Sequence, residues 1–133
     1  MNILTNAAEL DIFYPQLVIE STDRFNRENP HSVKNFLKGF IEGMRYVATH
    51  KDETKKTITR YLKTSDSDIL EATYRSFMQV TNYNAAPNLE GIRNAIDEVG
   101  QRVPAARNRM AQEFVDLRFL KELEREGFFR AVE

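Results

Sequence analysis

Two histidines, His31 and His50, are the natural first candidates for acid–base or metal chemistry in this chain of 133 residues, which has no cysteine. Imidazole titrates near neutral pH and is the commonest metal ligand. A helix-borne site, however, needs ligands one turn apart on a single face. His31 stands at the expected start of a helix and His50 at its end, where a protonated ring would favour the helix dipole. With no cysteine, disulfides, thiolate nucleophiles and cysteine-ligated metals are excluded. Asp66, Asp68 and Glu71 look superficially like a calcium loop but lack its glycine and spacing, so helix capping accounts for them better. Lys55, Lys56, Arg60, Arg102, Arg107 and Arg109 could be drawn together as an anion patch. Against 20 acidic residues and a net charge of −1, a solvated surface explains them more simply. No Gly-rich phosphate loop, nucleophile elbow or paired-carboxylate signature occurs. Phe36, Phe40, Tyr74 and Phe77 fall at core spacing and read as packing residues. The residues therefore predict no catalytic site, metal or cofactor, and no enzyme.

The elements that would carry such residues are mainly helical. The length suits one domain, and 41% apolar with 29% charged residues is an ordinary globular balance. The charge balance gives no footprint for nucleic acid, and no apolar run is long enough to span a membrane. The N-terminus has neither the basic nor the apolar part of a signal peptide. Residues 15–20 include a β-favouring run that predicts one strand. Ser21, Thr22 or Asp23 then caps a short helix that Asn29-Pro30 breaks. Val33, Phe36, Leu37, Phe40, Ile41, Met44, Val47 and Ala48 recur within an arc of roughly 140°, predicting a long amphipathic helix with Pro30 in its first turn. Gly39 and Gly43 lie one turn apart beside this stripe, which suggests close approach by a neighbouring backbone. Further helices are predicted over 51–63, burying Thr54, Ile58, Tyr61 and Leu62, and from Ser65 to Val80, with an apolar face wide enough for two neighbours. Another follows from the Asn88 cap to a stop at Gly100. Residues 101–112 read as an irregular connection. Asp116 caps a last helix to Glu126 that presents Leu117, Leu120 and Leu123.

The order of these segments resembles a family. Residues 17–77 are similar to the C-terminal half of the nitrate/sulfonate/taurine solute-binding proteins of ABC-type importers, a group that includes binders of thiamine precursors. The likeness rests on a strand with a Ser/Thr-rich turn, a short helix closed by Asn29-Pro30, and a long helix carrying Gly43. It continues through Lys51-Asp52-Glu53, Tyr61-Leu62-Lys63-Thr64 and an acidic helix start. Farther on, 88–100 and 113–128 resemble the family's Glu-Gly helix and its closing Leu-rich helix. The resemblance implies a type II periplasmic binding protein, two α/β lobes around a ligand cleft, reading out to a membrane permease. Intact members are about twice as long or more, so the chain is expected to be a C-terminal piece without the N-terminal half. Residues 1–20 would then be a former crossing-strand region and 21–133 one helical domain.

From the resemblance, ligand contacts are expected where the strand meets the turn, at Tyr14, Glu20, Ser21 and Thr22. The implied partners are a small solute and an ABC permease, and the implied location of the intact protein is periplasmic or extracytoplasmic. Helices deprived of their sheet should repack or self-associate, so a compact homo-oligomer is expected. Two rivals remain. A related eukaryotic branch makes a thiamine pyrimidine by histidine and cysteine chemistry, which the absence of cysteine disfavours. A free-standing helical interaction or sensor module is the other.

Overall fold

The computed structural model describes residues 13–15 and 17–131, and its regular structure is helical throughout. Among the described residues seven helices follow in order: α1 Asp23–Glu28, α2 Pro30–Thr49, α3 Lys51–Leu62, α4 Ser67–Val80, α5 Leu89–Arg102, α6 Arg118–Arg125 and α7 Phe128–Ala131. Two 3-10 turns, Pro104–Ala106 and Ala111–Phe114, lie between α5 and α6. The mainly α class holds; five or six helices with at most one or two short strands are expected from the sequence, whereas the described residues form seven helices and no strand, α7 being too short at four residues to show a period.

Local chemistry sets most boundaries. Thr22 accepts from the Phe25 N–H at 3.1 Å and so caps α1. Pro30 occupies the first turn of α2, where its missing N–H costs nothing. The carboxylate of Asp66, one residue after the expected Ser65, takes the N–H groups of Asp68 and Ile69 at the head of α4. Asn88 caps α5 through the Gly91 N–H at 3.1 Å. Gly100 does not end α5, which runs two residues further. Asp116 lies just outside α6 and accepts from the Arg118 N–H at 3.2 Å. Gly127, at φ +74°, separates α6 from α7.

The expected strand over 15–20 does not form. Gln16 lies outside the described residues, and 17–20 carry no strand or helix. A strand needs a paired neighbour to satisfy its backbone, and no strand is present among the described residues.

The core is small and distributed. Ile41 of α2 and Leu123 of α6 are fully buried, with Phe119 nearly so. Leu70 and Tyr74 of α4 are buried with Thr54 of α3, and Ile96 of α5 is buried, as is Ala111 in the second 3-10 turn. α2 packs on α6, α3 on α4, and α5 on the two 3-10 turns. Many large apolar side chains of the described residues remain exposed. Phe36, Phe40 and Phe77, placed at core spacing, are exposed, as are Tyr61 and Leu62 of α3. The wide face of α4 meets α3, while Ile69, Phe77 and Val80 stay in solvent. Among the described residues a methyl group added at Gly39 or Gly43 would meet nothing within 4 Å, so none of them supplies the neighbour that the spacing suggested.

Candidate functional site

The four residues expected near ligand are not gathered into one pocket. The Tyr14 hydroxyl donates to Glu98 Oε2 on α5 at 3.1 Å, and that carboxylate raises the phenol pKa above its usual value. Beside it, Asn94 Nδ2 donates to the Phe13 carbonyl at 2.9 Å. Gly91 leaves room for this strap, since a Cβ there would come within 3.3 Å of Pro15 Cδ. Residues 13–15 are thereby laid along α5. Thr22 spends its hydroxyl on the α1 cap. Glu20 and Ser21 are exposed.

A concavity lies elsewhere. A cleft of about 530 Å³ is lined by Arg45 of α2, Asn84 and Ala86 of the α4–α5 loop, Leu117, and residues of α6 and α7 including Leu120, Lys121 and Phe129. Arg45 Nη1 donates to the Phe129 carbonyl at 3.3 Å, tying the C-terminal turn to α2. Its Nε is buried without an acceptor, a cost of about 1–3 kcal/mol. Because that nitrogen is shut off from solvent, it cannot greet a ligand without moving, so the cleft is a groove with basic edges rather than a built site. The residues around it gave no local signal, since they come from four separated segments.

Two polar groupings also emerge only in three dimensions. Arg107, read as a surface cation, folds back so that its Nε donates to the Gly100 carbonyl at 2.8 Å. A Cβ at Gly100 would meet Arg107 Cγ at 3.3 Å, so the glycine admits the arginine that satisfies the end of α5. Glu71 of α4 is clasped by Lys51 at 2.8 Å and by Lys55, both of α3. Those two hydrogen bonds, Lys51 first, hold its carboxyl down at about 2. Asp116 is likewise held below the usual range, chiefly by the Arg118 guanidinium, and it also accepts from Asn26 of α1 at 3.4 Å. These contacts tie helices and the turns beside them; Arg107 and Gly100 also line a shallow concavity with Ile96, Asp97, Gln101 and Asn108. Among the described residues no three His, Asp or Glu side chains stand together as a metal cage, and no helix is long and apolar enough to cross a membrane.

Set against protein-family models, curated proteins and solved structures, the chain matches none.

Proposed function

We propose that the chain is the helical C-terminal part of the extracytoplasmic solute-binding component of an ABC-type importer of the nitrate/sulfonate/taurine kind. Its role is non-enzymatic, and it holds a small solute only together with the rest of the receptor, which a permease then reads. The ordered resemblance of residues 17–77, 88–100 and 113–128 motivates this reading. The observation that carries it is the segment Leu17-Val18-Ile19. These three β-favouring side chains are 93%, 57% and 48% exposed, and among the described residues no backbone hydrogen bond reaches 17–21. Unpaired backbone with adjacent branched apolar residues is the state of a strand that lacks its sheet. Tyr14, Glu20, Ser21 and Thr22 flank this segment and are the proposed solute contacts once it pairs.

The test is to read the coding region upstream of Met1 and express the chain with that added sequence. Amide exchange at 17–20 should become strongly protected, and calorimetry against taurine, other sulfonates, nitrate and pyrimidines should give micromolar binding of one of them. Micromolar binding by the 133-residue chain alone, or continued free exchange at 17–20 in the longer protein, would overturn the reading.

A second reading, a free-standing helical interaction or sensor module, is favoured by the α2–α6 packing, where Ile41 and Leu123 are buried with no sheet involved. An upstream region without coding sequence would support it over the first.

A further inference from the structure

The cleft beside α6 leaves one charge unanswered. Arg45 Nη1 donates to the Phe129 carbonyl at 3.3 Å, while Nε is buried with no acceptor. Among the described residues Arg45 joins no ion pair. A guanidinium keeps its charge at any pH a folded protein meets, and burying charge is costly unless a counter-charge and hydrogen bonds meet it. The rest of the lining adds to the imbalance. Lys121 and Arg130 bring two more positive charges, and Glu124 returns one. Leu117, Leu120 and Phe129 give the same cleft an apolar lining.

We infer that this cleft is a binding site for a small carboxylate with an apolar body. The carboxylate takes the Arg45 guanidinium, Lys121 and Arg130 hold the surrounding potential positive, and the body packs on Leu117, Leu120 and Phe129. An arginine fork, Nε–H beside an Nη–H, matches the two coplanar oxygens of a carboxylate. A backbone carbonyl offers one oxygen and no charge, so the Phe129 contact serves the guanidinium only in part. The volume of about 530 Å³ lies within the roughly 300–1,000 Å³ of small-molecule sites, whose usual lining is apolar with a few polar groups.

Because Nε is shut off from solvent, an element must shift before the ligand enters, and α7 is the one built to do so. It has four residues. Gly127 precedes it at φ +74°, and glycine moves between backbone regions without steric cost. A Cβ built on Gly127 would meet nothing within 4 Å among the described residues. Turning α7 about this glycine frees Nη1 from the Phe129 carbonyl and opens the guanidinium to the cleft. The site shares nothing with Tyr14, Glu20, Ser21 and Thr22, and its ligand is separate from the transported solute. It therefore goes beyond the receptor reading, and neither falls with the other.

An NMR titration of the 133-residue chain with hydrocinnamate, following the Arg45 Nε–H resonance, tests it. Saturable binding at about millimolar concentration is expected, with that resonance moving downfield as the nitrogen gains an acceptor. The uncharged amide of hydrocinnamate, alike in shape, should bind more weakly by about tenfold or more. Arg45→Lys keeps the charge and loses the fork, and should weaken carboxylate binding by about tenfold. Lys121→Gln, at an exposed position where the fold is indifferent to it, should weaken it about two- to fivefold. Absence of saturation, an Arg45 resonance that stays in place while hydrocinnamate binds, equal affinity for the amide, or unchanged affinity in both variants would each overturn the proposal.

Discussion

The α2–α6 seam and the α3–α4 hairpin are held together in different ways. The seam joins segments far apart in the chain and buries Ile41 and Leu123 completely, with Phe119 beside them. Lys34 lines its rim, bonded to Glu126 and lying 3.6 Å from Glu122. The hairpin joins neighbours in sequence and buries only Leu70, Tyr74 and Thr54, while Tyr61, Leu62, Ile69, Phe77 and Val80 face solvent. It relies on polar ties instead. The Tyr74 hydroxyl donates toward the Val47 and Ala48 carbonyls at 3.1 and 3.3 Å, near the open end of α2. Apolar burial is thus the principal support of the first region, and hydrogen bonds at a helix terminus anchor the second.

The largest effect should come from Leu123→Ala. Truncating a fully buried leucine removes its transfer energy and leaves a cavity, a loss of about 2–5 kcal/mol. Urea unfolding followed by circular dichroism measures it. Amide exchange should show α6 and α7 losing protection first while α3 and α4 keep theirs. Equal loss across both regions would mean that they unfold as one unit and that the contrast drawn above is false.

Tyr74→Phe probes the other side. It keeps the ring and removes the hydroxyl that reaches the last turn of α2, where carbonyls have no intrahelical partner. A loss of about 1–1.5 kcal/mol is expected, with protection lowered in α3 and α4 and unchanged in α6. A variant as stable as the parent would show that water serves those carbonyls equally well.

Lys63 should move stability the opposite way. It closes α3 in the left-handed region at φ 53°, a position that glycine ordinarily fills. Lys63→Gly relieves the Cβ clash and should add about 1 kcal/mol. A destabilised variant would mean that the lysine side chain contributes more at that turn than its backbone conformation costs.

Much of the frame was legible because it is local. The cap at Asn88, the cap of α1 narrowed to Ser21, Thr22 or Asp23, the break at Asn29-Pro30 and the span of α2 follow from side chains within four residues of the atoms they satisfy. What failed was non-local. Gly100 resembles a helix stop, yet it serves to admit Arg107. The period of Phe36 and Phe40 marks an apolar face but cannot say whether a neighbour covers it. Residues 17–19 have strand propensity, but propensity forms no strand without a partner to pair with. Tyr14 finds Glu98 across most of the chain, which no spacing rule reaches.

The smallest effect is the most diagnostic of how the hairpin is tied. Glu71 has its carboxyl lowered to about 2 by hydrogen bonds from Lys51 and then Lys55. A depressed carboxyl stabilises the folded chain above its unfolded pKa, near 4.3. That contribution fades as pH falls from there through about 2, where the folded group also protonates. Glu71→Gln should therefore lower the urea midpoint slightly at neutral pH, with the difference shrinking to nothing toward pH 2. Because the three side chains are partly exposed, added salt should shrink it as well. Parent and variant midpoints that run parallel through the acid range at low salt would show that this cluster does not anchor α3 to α4. The hairpin would then depend on Tyr74 and its few buried neighbours alone, and the penalty for Tyr74→Phe should be correspondingly the same in the Glu71→Gln background as in the parent.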